Sequence, residues 1–312
     1  MIESYAFKTR ARTIDHLGRE QIADCPTAIS ELWKNAYDAY ARNVSLIIFE
    51  GAQPLSDSDK LNDVAPVIAT LVDDGHGMSK QEFFDKWLVI GTESKALSNE
   101  VPPADRKGLP LRIKQGQKGI GRLSAAALGP LLLLISKRAG EKFVAALIDW
   151  RIFENPFLFL EDVVVPVIEF EEKNDLWDGL PGLFDELMSN VWGRNTASAE
   201  GEANAERTFR IINAWEKYSK QEKLSGLTQT TQEKIEDVLI KTVFSEEHIE
   251  EWAAWGNLGE SGTALLVADA AFDLQAQLQS RSGTAEHGAE KQSQNLFFET
   301  LSSFIDPYTN ED

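Results

Sequence analysis

Three short glycine- and carboxylate-bearing segments stand in a definite order within the first 125 residues, and their order constrains the fold more than any bulk property. Glu31-Leu32-Trp33-Lys34-Asn35-Ala36-Tyr37-Asp38-Ala39 lies on a predicted helix. Asp73-Asp74-Gly75-His76-Gly77-Met78 ends a predicted strand, and Gly116-Gln117-Lys118-Gly119-Ile120-Gly121 opens a further helix. Helix and strand alternate around them, the pattern of an α/β sandwich.

The first helix is predicted over Pro26 to Ala41, with Asp24 as N-cap and Pro26 tolerated in the first turn. At about 100° per residue, Glu31, Asn35 and Asp38 share one face. Val44–Phe49 and Pro66–Val72 read as strands, Gln81–Val89 as a helix with Phe83, Phe84 and Trp87 on its apolar side. Ala96–Gln115 is polar and carries Pro102, Pro103 and Pro110, the composition of a long mobile loop. A helix over Arg122–Leu128 follows, then strands at Leu131–Ser136, Phe143–Trp150 and Phe157–Phe170. Residues 174–256 change character: Asn204–Leu224, Thr231–Phe244 and Ser245–Trp255 have helical periodicity, and Thr196–Asn204 reads as a disordered loop. Strand character returns at Ser261–Ala268, and a last amphipathic helix spans Gln292–Ile305. The expected organisation is a core of residues 1–173 and 257–275, a helical insertion at 174–256, and a C-terminal helix and tail at 276–312.

Charge divides along the same lines. Residues 1–152 carry a net charge of +1 and residues 153–312 a net charge of -20. The acidic half is not expected to bind nucleic acid directly. The basic cluster Arg106, Lys107, Arg112, Lys114, Lys118 and Arg122 flanks the third segment instead. No apolar run is long enough to span a bilayer and the N-terminus has polar residues where a secretory core would sit, so a cytoplasmic protein without a membrane partner is expected. Cys25 is the only cysteine, which excludes an internal disulfide. The four histidines lack zinc-type spacing and, like Cys25, are assigned to structure.

These residue types suit ATP hydrolysis, which needs a base for water, a magnesium ion on the phosphates, a reader of the adenine and backbone donors around the charge. Glu31 is the candidate base, and Asn35, one turn on, the candidate magnesium ligand through its amide oxygen. Asp38 would lie lower on the same face, nearer the nucleoside. Asp73 is placed to accept the adenine amino group, with Gly75 and Gly77 allowing close approach to a flat ligand. The glycines at 116, 119 and 121 turn amides toward phosphates, and Lys118 and Lys95 add positive charge. A Walker A pattern is absent, and Gly119-x-Gly121-x-x-Ser124 only half matches a dinucleotide fingerprint.

The segments resemble those of the GHKL superfamily, the Bergerat-fold ATPases that include ninety-kilodalton heat-shock chaperones, type II topoisomerase ATPase subunits, MutL-type repair proteins, MORC proteins and histidine kinases. Glu31-Leu32-x-x-Asn35-Ala36-x-Asp38-Ala39 resembles the first family motif and Asp73-x-Gly75-x-Gly77-Met78 the second. Gly116 to Ala125 is similar to the chaperone form of the third, Ser261-Gly262-Thr263 to the fourth, and Trp87 to Lys95 to the segment leading into the lid of MORC-like prokaryotic members. The resemblance implies a two-layer α/β sandwich with a mixed, mostly antiparallel sheet. It implies that Met78, Gln117 and Ile120 join the nucleotide contacts and that Thr263 supports Asp73 through water. It further implies ATP and Mg2+ as cofactors, a nucleotide-dependent homodimer with lid closure, and slow hydrolysis that drives a protein partner or an appended domain. A non-hydrolysing ATP sensor and a histidine kinase catalytic domain are the alternatives. A transducer domain following the fourth motif is not evident.

Overall fold

A computed structural model describes residues 7–18, 21–51, 65–90, 101–115, 121–193, 202–279 and 288–302. The elements in chain order are α1 (Arg12–Leu17), α2 (Cys25–Asp38), β1 (Val44–Phe49), β2 (Ile68–Asp73), the short α3 (Lys80–Glu82), β3 (Leu131–Lys137), β4 (Phe143–Asp149) and β5 (Val167–Phe170). After these come α4 (Lys173–Trp192), α5 (Glu202–Leu224), α6 (Thr231–Lys241), α7 (Ala253–Gly256), β6 (Gly262–Ala268), α8 (Phe272–Gln279) and α9 (Gly288–Ser302).

Six strands form one sheet in the order β1-β2-β6-β3-β4-β5, and every pairing is antiparallel. The α/β sandwich expected from the sequence is therefore present, and among the described residues the sheet has no parallel pair of the kind a mixed sheet would include. β6, late in the chain, sits between β2 and β3, so the sheet's centre joins the two ends of the sequence. Every residue of β3 and β4 is buried, so neither face of these strands meets solvent. This explains why Leu131-Leu132-Leu133-Leu134-Ile135 is a continuous apolar run rather than an alternating one.

α4 packs against β4 and β5, so the first of the helices between β5 and β6 lies directly on the sheet. α4 is not delimited from sequence within the helical 174–256 stretch, and it carries Gly179, Pro181 and Gly182 in its interior. Burial of Leu176, Leu180, Leu183 and Leu187 overrides those weak formers. α9 packs on α2 and α8, with Phe297 buried. Among the described residues no helix is long and apolar enough to cross a membrane.

Several boundaries differ from the sequence reading. α2 stops at Asp38 because Tyr40 adopts a left-handed conformation (φ 61°) that buries its ring and lets its hydroxyl accept from Arg112 N at 3.1 Å. Gln81–Val89 is a short α-helical turn, started by a Ser79–Glu82 capping box, that widens into a π-helical turn at Phe83–Trp87. The helix after the third segment is a 3-10 helix, Gly121–Ala127. Only Val167–Phe170 of Phe157–Phe170 is strand, and Ser245–Trp255 resolves into two short turns. Of Thr196–Asn204, residues 202–204 are described and begin α5, where Asn204 is buried; residues 194–201 lie outside the described residues.

Candidate nucleotide site

α2 presents the first set of side chains. Asp24 caps it, accepting from Thr27 N at 2.8 Å, and the buried face (Ala28, Ile29, Leu32, Ala36) sets the helix's rotation. Glu31 and Asn35 then converge on Gly121: a Cβ there would lie 3.3 Å from Glu31 Oε2 and 3.5 Å from both side-chain polar atoms of Asn35. Glycine at 121 leaves room for these two groups. Glu31 Oε1 accepts from Lys34 Nζ at 2.7 Å, a neighbour on the same helix that the motif reading passes over. Asp38 Oδ1 accepts from Gln115 N at 2.8 Å, so it also anchors the chain that leads to the third segment.

Asp73 ends β2, opposite Val44 on one side and Thr263 on the other. Its Oδ1 accepts from Gly75 N at 2.8 Å. Withdrawal of the carboxyl from water pushes its pKa up to about 6, with Asp74 adding to the rise and the N–H groups of Gly75 and Thr263 opposing it. At Asp74, burial also favours the neutral acid, but donors outweigh it: Asn43 N at 2.9 Å, Asn43 Nδ2 at 2.9 Å and Arg42 N at 2.7 Å hold its pKa below the ordinary range. The two neighbouring aspartates are thus pushed in opposite directions, Asp74 by its donors and Asp73 by its burial. The turn continues through Met78, whose N–H donates to Ser136 Oγ at 2.9 Å, while Ser136 Oγ lies 3.0 Å from Thr263 Oγ1.

Between α2 and this turn lies a cavity of about 440 Å³, within the range of small-molecule sites. Leu71, Met78 and Leu265 give it an apolar surface in which Asp73 and Thr263 are set. Asn35, Asp38 and Gly121 line it from the α2 side, and Lys114 and Arg122 bring positive charge. Val101, Pro102 and Trp87 close the remaining wall.

The structure brings together Asn35, Asp38, Asp73, Gly77, Met78, Gly121 and Thr263 around one cavity, with Glu31 beside Gly121. Lys95, Gly116, Gln117, Lys118, Gly119 and Ile120 lie outside the described residues. Gly77 lines the cavity, and the close approach of main-chain atoms also requires glycine at both turn positions. A Cβ on Gly75 would come within 2.8 Å of Ala39 O, and one on Gly77 (φ 62°) would collide with Lys137 O. Gly77→Ala is expected to destabilise the protein by about 3 kcal/mol or more, read as a drop in the thermal midpoint, because both backbone strain and overlap with a main-chain atom must be relieved.

Most of the basic cluster is also engaged with the protein. Arg106 Nε donates to Val101 O at 2.7 Å, Lys107 to Asp74 O, and Arg112 Nη1 to Tyr37 O and Ala41 O, both at 2.9 Å. Arg122 donates to Lys86 O and Val89 O. The expected mobile loop is therefore, over residues 101–115, a strap tied across the cavity's rim.

Arg138 secures its far side, holding Glu82 at 2.9 Å and Asp105 in one fork. Arg138→Leu leaves two half-buried carboxylates without their cation and is expected to cost about 1–3 kcal/mol in chemical denaturation. His76, assigned to structure from sequence, lines the cavity. Its Nδ1 lies 2.7 Å from Gly77 O, so that nitrogen carries the proton and Nε2 is an acceptor. Burial lowers the His76 pKa, which keeps the ring neutral. Cys25 does remain structural: its thiol contacts Ala127 O at 3.4 Å and burial pushes its pKa to about 12.

Residues 24–157 match the family described as Histidine kinase-, DNA gyrase B-, and HSP90-like ATPase. The matched segment runs from the α2 cap through β4 and contains the first three motifs, so this part of the chain is similar to GHKL-type ATPase domains, the superfamily to which the motifs pointed. Such a domain supports ATP binding and ATPase- or kinase-type activity in general. No curated protein matches the chain significantly.

Proposed function

We propose that this domain binds Mg2+-ATP in the cavity between α2 and the Asp73 turn and hydrolyses it slowly, with Glu31 as the base. The observation that carries the reading is the convergence of Glu31 and Asn35 at Gly121, at one end of a cavity that also holds Asp73 and Thr263. An acid and an amide one helical turn apart suit a water and a metal-bound phosphate. A carboxylate set among Leu71, Met78 and Leu265 suits the amino edge of a purine.

The donor set fits magnesium. Among the described residues no three His, Cys, Asp or Glu side chains group as a metal site, and a magnesium ion needs only one protein oxygen when phosphates and waters fill its other positions. Asn35 would provide that oxygen, and the ion would neutralise charge on the phosphates. Lys114, with Lys95, Lys118 and the 116–120 amides, would surround the triphosphate. Lid closure and nucleotide-dependent dimerisation would transmit binding to a protein partner or an appended domain. In this reading residues 1–173 and 257–275 form the ATPase core and 174–256 an insertion.

One observation favours the sensor reading: Glu31 is paired with Lys34. The pair joins two half-exposed groups at i,i+3 and is worth only a few tenths of a kcal/mol, about what thermal motion supplies. It does not lock the carboxylate away from water. Lys34→Met is therefore expected to change turnover by less than about fourfold in a phosphate-release assay. Titration of the protein with ATP and a non-hydrolysable analogue in the presence of magnesium, with sedimentation of each complex, tests binding and dimerisation together. Absence of binding by both nucleotides would end the proposal.

A further inference from the structure

The link that returns the chain from the helical insertion to β6 makes direct contact with the Asp73 turn. Trp252 is 1% exposed and its indole N–H donates to the Asp73 main-chain carbonyl at 2.9 Å, across 179 residues of sequence. Gly262 makes room for it: a Cβ there would lie 2.9 Å from the indole nitrogen. Ser261 Oγ donates to Gly75 O at 2.7 Å. Lys137 Nζ in turn holds the link by donating to Leu258 O and, at 3.0 Å, to Glu260 O. Two carbonyls of the turn that carries the candidate base reader are thus fixed by side chains from the insertion's return segment.

The Trp252 ring connects this clamp to the insertion. It meets Phe143 edge-on at 6.1 Å, Phe143 meets Trp255 at 5.6 Å, and Trp255 meets Trp177 of α4 at 6.0 Å. An unbroken row of packed rings therefore runs from α4 to Asp73. Packed aromatic contacts of this kind resist independent movement of their members.

We propose that Trp252, assisted by Ser261, is a positioning residue for Asp73, through which the helical insertion sets the base selectivity of the nucleotide cavity. The physical basis is the peptide plane between Asp73 and Asp74. Antiparallel pairing ends at Asp73, and the plane beyond it is held by two contacts: Asp74 N donates to Asn43 O at 3.3 Å, and the indole donates to Asp73 O at the shorter 2.9 Å. Rotation of the plane would swing the carboxylate away from Gly75 N and from the edge of a bound purine. The inference rests on the reading that Asp73 accepts the amino group of adenine.

The test compares ADP with inosine diphosphate, which lacks that amino group, by calorimetry on the full chain and on Trp252→Phe and Trp255→Phe. Trp255 belongs to the same ring cluster, but its N–H donates to Glu246 at 2.9 Å, away from the turn. The unsubstituted protein is expected to bind ADP at least about tenfold more tightly than inosine diphosphate. Trp252→Phe should shrink that ratio about three- to tenfold, while Trp255→Phe leaves it within about twofold even where both lower the thermal midpoint. An unchanged ratio in Trp252→Phe, with stability alone reduced, overturns the positioning role. Should that variant fail to fold, Ser261→Ala decides by the same ratio: a fall of about twofold or more supports the clamp, and an unchanged ratio overturns it. Absence of an ADP preference in the unsubstituted protein would instead remove the base-reading role of Asp73, and the proposal with it.

Discussion

Asp73→Asn is expected to weaken adenine-nucleotide binding by about 10- to 100-fold while leaving the protein as stable as before, or more so. The loss follows from replacing a charge-assisted acceptor by a neutral amide whose NH₂ competes for the same position. The stability gain follows from the sign of the pKa shift. An aspartate whose folded pKa is raised from 3.8 to about 6 sheds its proton later in the folded state than in the unfolded chain. Ionisation therefore disfavours folding progressively between about pH 4 and 6 and by a constant amount above that, of order 1–3 kcal/mol. Asn removes this cost. Calorimetry and thermal melts at pH 7.5 read the two effects independently, and a variant that loses both affinity and stability would contradict the assignment. The same shift predicts that the unsubstituted protein loses nucleotide affinity below about pH 6, approaching tenfold per pH unit, since the acceptor must be ionised to bind an amino group.

Glu31→Ala is expected to lower turnover by at least about 100-fold while nucleotide affinity stays within about threefold, the signature of a group that acts on water rather than on binding. Glu31 lies beside Gly121 and Asn35 rather than among the residues lining the cavity, so its removal leaves the cavity walls intact. Phosphate release under saturating ATP, set beside the calorimetric Kd, separates the outcomes. Equal turnover in the two proteins would assign the water-activating role elsewhere or favour the sensor reading.

The parts of this arrangement that the sequence discloses are those in which local chemistry and global fold agree. Asp24, Pro26 and the spacing of Glu31, Asn35 and Asp38 identify α2 and its polar side because capping and helical periodicity are local properties. The strands β1, β3, β4 and β6 are visible in their apolar runs. What stays hidden depends on partners distant in sequence. Gly75 and Gly77 are required by the close approach of Ala39 and Lys137, contacts that the glycine pair itself does not disclose. Arg112 and Arg122 look like phosphate binders beside a glycine-rich segment, yet they spend their donors on the carbonyls of Tyr37, Ala41, Lys86 and Val89. Trp252 carries no local mark at all, since one tryptophan in a buried cluster reads only as core. For His76 a signal existed: it stands between two glycines of a candidate ligand turn, a position where a side chain is carried into the cavity with the backbone.

The placement of β6 between β2 and β3 bears on how the polypeptide matures. Until residues 262–268 leave the ribosome, β2 and β3 each expose an unpaired backbone edge, and both strands are strongly apolar. Nascent chains in that state resemble the aggregation-prone, late-closing topologies whose folding is slow because distant segments must meet. A polypeptide halted between residues 125 and 262 would hold the first three motifs yet lack the strand that joins β2 to β3, making it a substrate for chaperones and proteases.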